Sequence, residues 1–390
     1  MSDRVARVEV FTLTVPRETP YLGALRPGES VNAKGYLVRR GNRTVYPTVD
    51  RSVLVRIESA SGAVGWGETY GIVTPAATMA IIDDLLAPFV LGRDPHDAAV
   101  IHDDLYDLMR VRGYTGGFYL DALAAVDVAL WDLAGRLCGL PVVKLLGGQR
   151  HDRIPAYVSG LPKPTLPERQ AMAQEWQAHG FSGFKFAAPV ADDGVVAEIA
   201  ALRQALGPQA RIACDMHWAH SAEQAIALIH AMEPHGLWFA EAPVRPEDVE
   251  GLARVAGRVS TTVAAGEEWR TVFDLMPRVA RRACGIVQPE MGHTGITEFM
   301  RIGQYATAHH LRVMPHATIG AGIFLAASLH ASAALAAVEC HEYQHSVFEP
   351  NRRLLQGDME CRDGAYALPS GAGLGVTPSA EAMALLRPMR

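Results

Sequence analysis

Cysteine is scarce in this chain, and its pattern is uninformative in a useful way. Five cysteines are spread over 390 residues and no two form a Cys-x-x-Cys pair. An odd, scattered set excludes a disulfide framework and argues against a structural zinc site. Long apolar runs are missing too. None approaches the roughly 18 residues that would cross a bilayer, and the opening MSDRVARVEV has no hydrophobic core of a signal peptide. Basic excess is absent: the formal net charge is −6, which argues against a nucleic-acid or anionic-membrane partner. There is no low-complexity tract. A cytoplasmic location and a small-molecule partner are the expectation. What is present is ordinary globular composition, 49% apolar and 20% charged, long enough for one large core and a smaller domain.

Two β-rich segments come first. VARVEVFTLTV and SVLVRIES alternate apolar and polar residues, the second continuing through a Ser-Gly turn into AVGWGETYG. The long polar segment between them has the character of a functional lid. In LDALAAVDVALWDLAGRLCG, Leu123, Val126, Leu130, Leu133 and Leu137 recur at three- and four-residue steps. That predicts a helix with one apolar stripe, closed by Gly139 and Pro141. Residues 1–140 therefore read as a small α+β domain, completed by 355–390. From about residue 153 eight short β-like runs alternate with helical patterns: RIPAYVS, GFKFAAP, RIACDM, LWFAEAP, TVAAGEE, GIVQPEM, LRVMPHA and VECHEYQ. Residues 141–354 thus predict a parallel α/β barrel.

Each run from the second onward ends near an ionisable residue: Lys185, Asp215, Glu241, Glu267, Glu290, His316 and Glu342, at steps of 30, 26, 26, 23, 26 and 26. One strand–helix unit of a barrel takes roughly 25–30 residues. The spacing sets all seven at corresponding heights around one mouth, the C-terminal face where catalytic groups collect. Three carboxylates on consecutive strands, Asp215, Glu241 and Glu267, would repel one another without a cation, and hard oxygen donors suit Mg²⁺. Glu268 is the rival ligand; strand alternation turns one of the pair away, and even spacing favours Glu267. His316 with Glu290 on the adjacent strand makes a general base, because a carboxylate on one ring nitrogen raises the basicity of the other. Lys185 could hold a substrate carboxylate or exchange a proton. Glu342 could donate a hydrogen bond if protonated, or be an ordinary strand-end acid. His217 lies two residues past Asp215, which puts both on one face of an extended strand. His293, His309 and His310 fall outside the ladder and read as structural or surface residues.

With these motifs in place the chain resembles the enolase superfamily, and within it the mandelate racemase/muconate lactonizing enzyme branch. The resemblance rests on AAVDVALWDLAGRLCGLPVVKLLGG, GFKFA, ACDMHW, FAEAP, AAGEE, VQPEMGHTGITE, MPHAT and HEYQ. It implies a modified (β/α)7β TIM-type barrel under an N-terminal α+β capping domain. It also implies Mg²⁺ on Asp215, Glu241 and Glu267, and a His316–Glu290 base that removes the proton beside a carboxylate. Two departures stand out: Ala187 occupies the place of a second lysine common in the family, and the dyad acid is Glu290 where Asp is more usual. The first weakens a racemase, which needs a proton donor on each face. Asp-x-His at Asp215 and His217 resembles the sugar-acid dehydratases, where the histidine protonates the departing 3-hydroxyl. The expected function is a Mg²⁺-dependent aldonate or aldarate dehydratase giving a 2-keto-3-deoxy acid. A racemase, epimerase or cycloisomerase of a sugar acid or its lactone is the alternative, and a non-catalytic ligand-binding barrel the third reading. Tyr21, Arg39 and Tyr70 are candidate contacts to the distal end of the substrate. The family's habit of assembling implies a homo-oligomer.

Overall fold

The computed structural model describes residues 3–40, 42–317 and 320–389. Thr318, the last residue of the MPHAT motif, lies outside them. The alternating segments at the start form an antiparallel sheet: Val5–Pro16 pairs with Val49–Ser59, which pairs with Val64–Tyr70. The predicted helix, Gly117–Cys138, lies across this sheet. It comes very close, because a Cβ at Gly65 or Gly67 would sit 2.3 Å from Ala129 O or 1.9 Å from Ala125 O. Only glycine permits that approach.

The helix is buried nearly all round, which differs from the single stripe read from its leucines. Leu123, Val126, Leu130 and Leu133 pack into the capping core. Asp127 and Asp132, on its remaining faces, are buried as well. Asp127 accepts from Thr297 N at 2.9 Å and Thr297 Oγ1 at 2.6 Å. Asp132 accepts from Trp66 N at 2.8 Å and Leu374 N at 2.7 Å. Charges that look solvent-facing in the sequence are buried acceptors for backbone N–H groups.

All eight short runs form barrel strands. In order they are Arg153–Ser159, Gly183–Ala187, Arg211–Asp215, Leu237–Glu241, Thr262–Ala265, Ile286–Val287, Arg312–Val313 and His341–Tyr343. Neighbours pair in parallel from the first to the seventh. The eighth pairs with the first, and a Val313–Val338 bridge joins the seventh to the eighth segment, closing the ring. Seven helices connect them, completing the (β/α)7β pattern. The interior is filled by a layer with Tyr157, Phe239, Ile286 and Met314 at its centre, a packed floor beneath the mouth. Of residues 355–390, expected to complete the capping domain, Ala365–Ala367 instead pairs antiparallel with the first barrel strand. Leu374 and Val376 meet Asp132 and Arg136 of the capping helix, and Arg387–Pro388 joins the capping sheet beside Phe11 and Thr12. No single helix among the described residues is long and apolar enough to cross a membrane.

One carboxylate ties the two parts together next to the mouth. Glu68, fully buried on the third capping strand, accepts from the backbone N–H of Ala321, Gly322, Ile323 and Phe324 at the start of the Ile323–Ala334 helix. An acid at a helix N-terminus meets the positive end of the helix dipole and fills open donors. Glu68→Ala strands these donors in a dry interface, at a cost on the order of 1–3 kcal/mol for each one left unsatisfied. A thermal scan is expected to show a large fall in the midpoint for Glu68→Ala and a smaller one for Glu68→Gln, which keeps one acceptor oxygen.

Candidate active site

The third barrel strand ends at Asp215, so His217 is not on it. His217 and Trp218 instead take left-handed conformations, each at φ 52°. This turn folds His217 back over Asp215. Its backbone N–H reaches Asp215 Oδ1 at 2.9 Å and its Nε2 lies 2.8 Å from Oδ2. The two residues meet through this turn and not through the shared strand face that the sequence spacing predicts. Asn42, from the capping domain, donates its amide to His217 Nδ1 at 3.2 Å. With Nδ1 accepting, the ring hydrogen sits on Nε2, toward Asp215.

On either side of Asp215 the strand-end groups converge. Lys185 Nζ donates to both oxygens of Glu241, at 2.7 and 2.9 Å, and lies 2.9 Å from Glu342 Oε1. Burial opposes its charge, but Glu241 and Glu342 prevail and hold the ammonium well above its ordinary range. Gln288, which the ladder skipped, donates to Glu241 Oε2 at 2.7 Å. Glu342 is held below the usual carboxylate range: burial opposes, and Lys185 and His316 prevail. Its Oε2 accepts from Ala317 N at 3.1 Å.

His316 and Glu290 face each other across an isolated parallel bridge just beyond the two short strands that carry them. His316 Nδ1 is 2.6 Å from Glu290 Oε2, while Nε2 is 3.3 Å from Glu267 Oε2 and 3.6 Å from Glu342 Oε2. Burial opposes protonation of this imidazole, yet the surrounding carboxylates of Glu267, Glu342 and Glu290 raise it well above its ordinary value.

Ligand atoms of Glu241, Glu267 and His316 lie within 4.8 Å of one another. Asp215 is opposite Glu241 in the strand register, but its oxygens turn to His217. Burial, together with crowding by Glu241 and Asp215, pushes the Glu267 carboxyl well up, against the pull of His316. The Asp215 carboxyl falls to about 2, because His217 outweighs burial. A buried set of hard oxygen donors under mutual repulsion fits a divalent cation. Glu268, the rival ligand, does not line the cavity.

These groups open into a cavity of about 450 Å³ roofed by the capping domain, within the range of small-molecule sites. Tyr21 and Tyr70 line it, and so does Ala187, in the place of the missing lysine. Arg39 does not. Its buried guanidinium donates to the carbonyls of Tyr21, Gly23 and Ala24 and to Glu29, so it shapes the loop from within. His293, read from the sequence as structural or surface, is on the cavity wall, whereas His309 and His310 are exposed at the far end of their helix. Its place three residues past Glu290, at a helix start beside the sixth strand, was a signal the ladder did not use. Asp121, Arg270 and Asn42 had no such signal; distant parts of the chain bring them in.

Comparison with known proteins agrees with this architecture. Residues 43–147 match the mandelate racemase/muconate lactonizing enzyme N-terminal domain, and residues 168–382 match the enolase C-terminal domain-like family. The D-galactarolactone cycloisomerase of Agrobacterium fabrum is 30% identical over 350 residues, 86% of this chain and 91% of that protein. The D-galactonate dehydratase of Ralstonia nicotianae is 34% identical over 306 residues, 74% of this chain and 76% of that protein. A crystal structure of an enolase superfamily member from Agrobacterium tumefaciens is 61% identical with a TM-score of 0.98, covering 100% of both chains. A mandelate racemase/muconate lactonizing protein from Paracoccus denitrificans, complexed with magnesium, is 28% identical with a TM-score of 0.82, over 100% of this chain and 99% of that one. Capping sheet, closed barrel and strand-end acids together make this chain a member of the enolase superfamily, in its mandelate racemase/muconate lactonizing enzyme branch.

Proposed function

We propose that the protein is a Mg²⁺-dependent dehydratase of a sugar acid, converting it to a 2-keto-3-deoxy acid. The observation that carries this reading is His316, held on Nδ1 by Glu290 at 2.6 Å with Nε2 turned to the carboxylate cluster. That is the posture of a base working beside a metal-held carboxylate. Asp215, Glu241 and Glu267 would hold the ion, and Mg²⁺ when bound supplies the positive charge that stabilises an enediolate. The magnesium complex of the Paracoccus relative supports that choice of ion.

His316 removes the C2 proton in its neutral form, which a cation held by Glu267 and its neighbours would favour by offsetting the carboxylates that raise its proton affinity. Lys185 bridges Glu241 and Glu342, where it binds and steadies negative charge. Among the described residues, Ala187 stands in the second position and leaves Lys185 alone on that strand, which favours elimination over racemisation. His217 lines the cavity, and in its imidazolium form it would give the Nε2 proton to the departing 3-hydroxyl, with the Asn42 amide turning its oxygen to Nδ1–H. Glu342 and Gln288 fix Lys185 and Glu241 in place. The cycloisomerase reading stays in view because the Agrobacterium relative opens that possibility on a lactone; it would use the same base and the same acids.

Two measurements check this. With Mg²⁺ and a panel of hexonic acids in D₂O, NMR is expected to show loss of the 3-hydroxyl and formation of a semicarbazide-reactive keto acid. His316→Asn should abolish both C2 exchange and elimination, while His217→Asn keeps C2 exchange and loses elimination by roughly 10²-fold or more, the usual worth of a positioned acid. Deuterium entering C2 with the 3-hydroxyl retained in the unmodified protein would rule dehydration out. Separately, chelation should remove activity, and adding Mg²⁺ at about 100 times its Kd should stabilise the fold by about 2.7 kcal/mol. Glu267→Gln is expected to lose most of that thermal shift.

A further inference from the structure

The cavity contains a third imidazole–carboxylate pair, one that the proposed chemistry leaves unused. His293 Nδ1 lies 2.7 Å from Asp121 Oδ1, on the helix the capping domain lays against the barrel. Arg270 Nε reaches the same Asp121 oxygen at 3.2 Å. Burial opposes the charge on Asp121, but His293 and Arg270 prevail and hold its carboxyl below the usual range. At 2.7 Å Asp121 is the acceptor, so a hydrogen sits on His293 Nδ1, and in the neutral ring Nε2 keeps a lone pair. Tyr70 stacks on the His293 ring at 4.4 Å between centroids. Both rings line the cavity. Among the described residues, neither His293 Nε2 nor the Tyr70 hydroxyl has a hydrogen-bond partner.

These two atoms are complementary to each other: one accepts and the other donates. A hydroxyl matches such a pair, since it gives one hydrogen bond and receives others. A carboxylate has no hydrogen to offer the Nε2 lone pair. The fixed charges beside the pair cancel, because the Arg270 guanidinium is paired with Asp121. We propose that His293 and Tyr70 form a hydroxyl-binding subsite, so that the substrate is a polyhydroxy monocarboxylic acid and not a dicarboxylic one. This rests on the sugar-acid reading above and narrows it to the aldonate class. Asp121 acts as a positioning residue, fixing the tautomer from the capping side.

The test compares kcat/KM for hexonic acids and the matching hexaric acids with saturating Mg²⁺, in the unmodified protein and in Tyr70→Phe and His293→Gln. Tyr70→Phe keeps the ring and its stacking and removes only the hydroxyl, so the fold survives; a thermal scan verifies it. The expected result is at least a tenfold preference for a hexonic acid, with KM for it rising about tenfold in either variant and kcat carrying the smaller share. A monodeoxy analogue lacking the bound hydroxyl should be used poorly by all three proteins and respond less than twofold to either substitution. A preference for hexaric acids, or an unchanged KM in Tyr70→Phe, overturns the subsite. A fall in kcat at constant KM in His293→Gln also overturns it, by making His293 a proton-transfer group. Failure of the parent reading looks different: the unmodified protein would then turn over no member of either series.

Discussion

Mutual repulsion among five carboxylates governs the mouth of this barrel. Asp215, Glu241, Glu267, Glu290 and Glu342 converge there, and against them stand one ammonium and two imidazoles, Lys185, His217 and His316. In a buried, low-dielectric setting such crowding is sustained only by paired or shared positive charge. Each carboxylate accordingly has a partner: Glu241 and Glu342 share Lys185, Glu290 takes His316, Glu267 lies against His316, and Asp215 is clasped by His217. The same excess of negative charge suits a divalent cation and raises the proton affinity of His316.

The parts of this arrangement that follow from strand periodicity were readable from the sequence. A barrel repeats its strand ends at nearly constant intervals, so seven ionisable residues in step could be placed at one mouth, and all eight strands could be located. Features that depend on backbone departing from that repeat were not readable. His217 reaches Asp215 by a left-handed turn that no alternation rule anticipates. Asp127 and Asp132 look like a solvated helix face and are buried acceptors instead. Arg39, an exposed-looking loop arginine, is consumed by carbonyls of its own loop. Cross-domain partners such as Asp121 with His293, or Asn42 with His217, lie more than 170 residues apart, beyond the reach of local pattern.

The capping domain contributes more than a roof. Tyr21, Tyr46, Tyr70 and Asp121 bring its side chains to the cavity wall, and Asn42 selects the tautomer of a barrel histidine. The strand ends hold the ionisable cluster, and the cap closes the cavity above it. Tyr21 illustrates the join: its ring stacks on Tyr46 at 5.9 Å, and its hydroxyl meets Gln344 of the eighth strand's loop at 3.4 Å.

Glu68 gives this partnership a further meaning. Its carboxylate, rooted in the capping sheet, plugs the front of the helix that follows the His316 loop, and the chain's last strand crosses back to the same sheet. Neither half can therefore be excised as a self-sufficient module. A barrel cut free would expose a bare helix end beside its own cluster of strand-end acids.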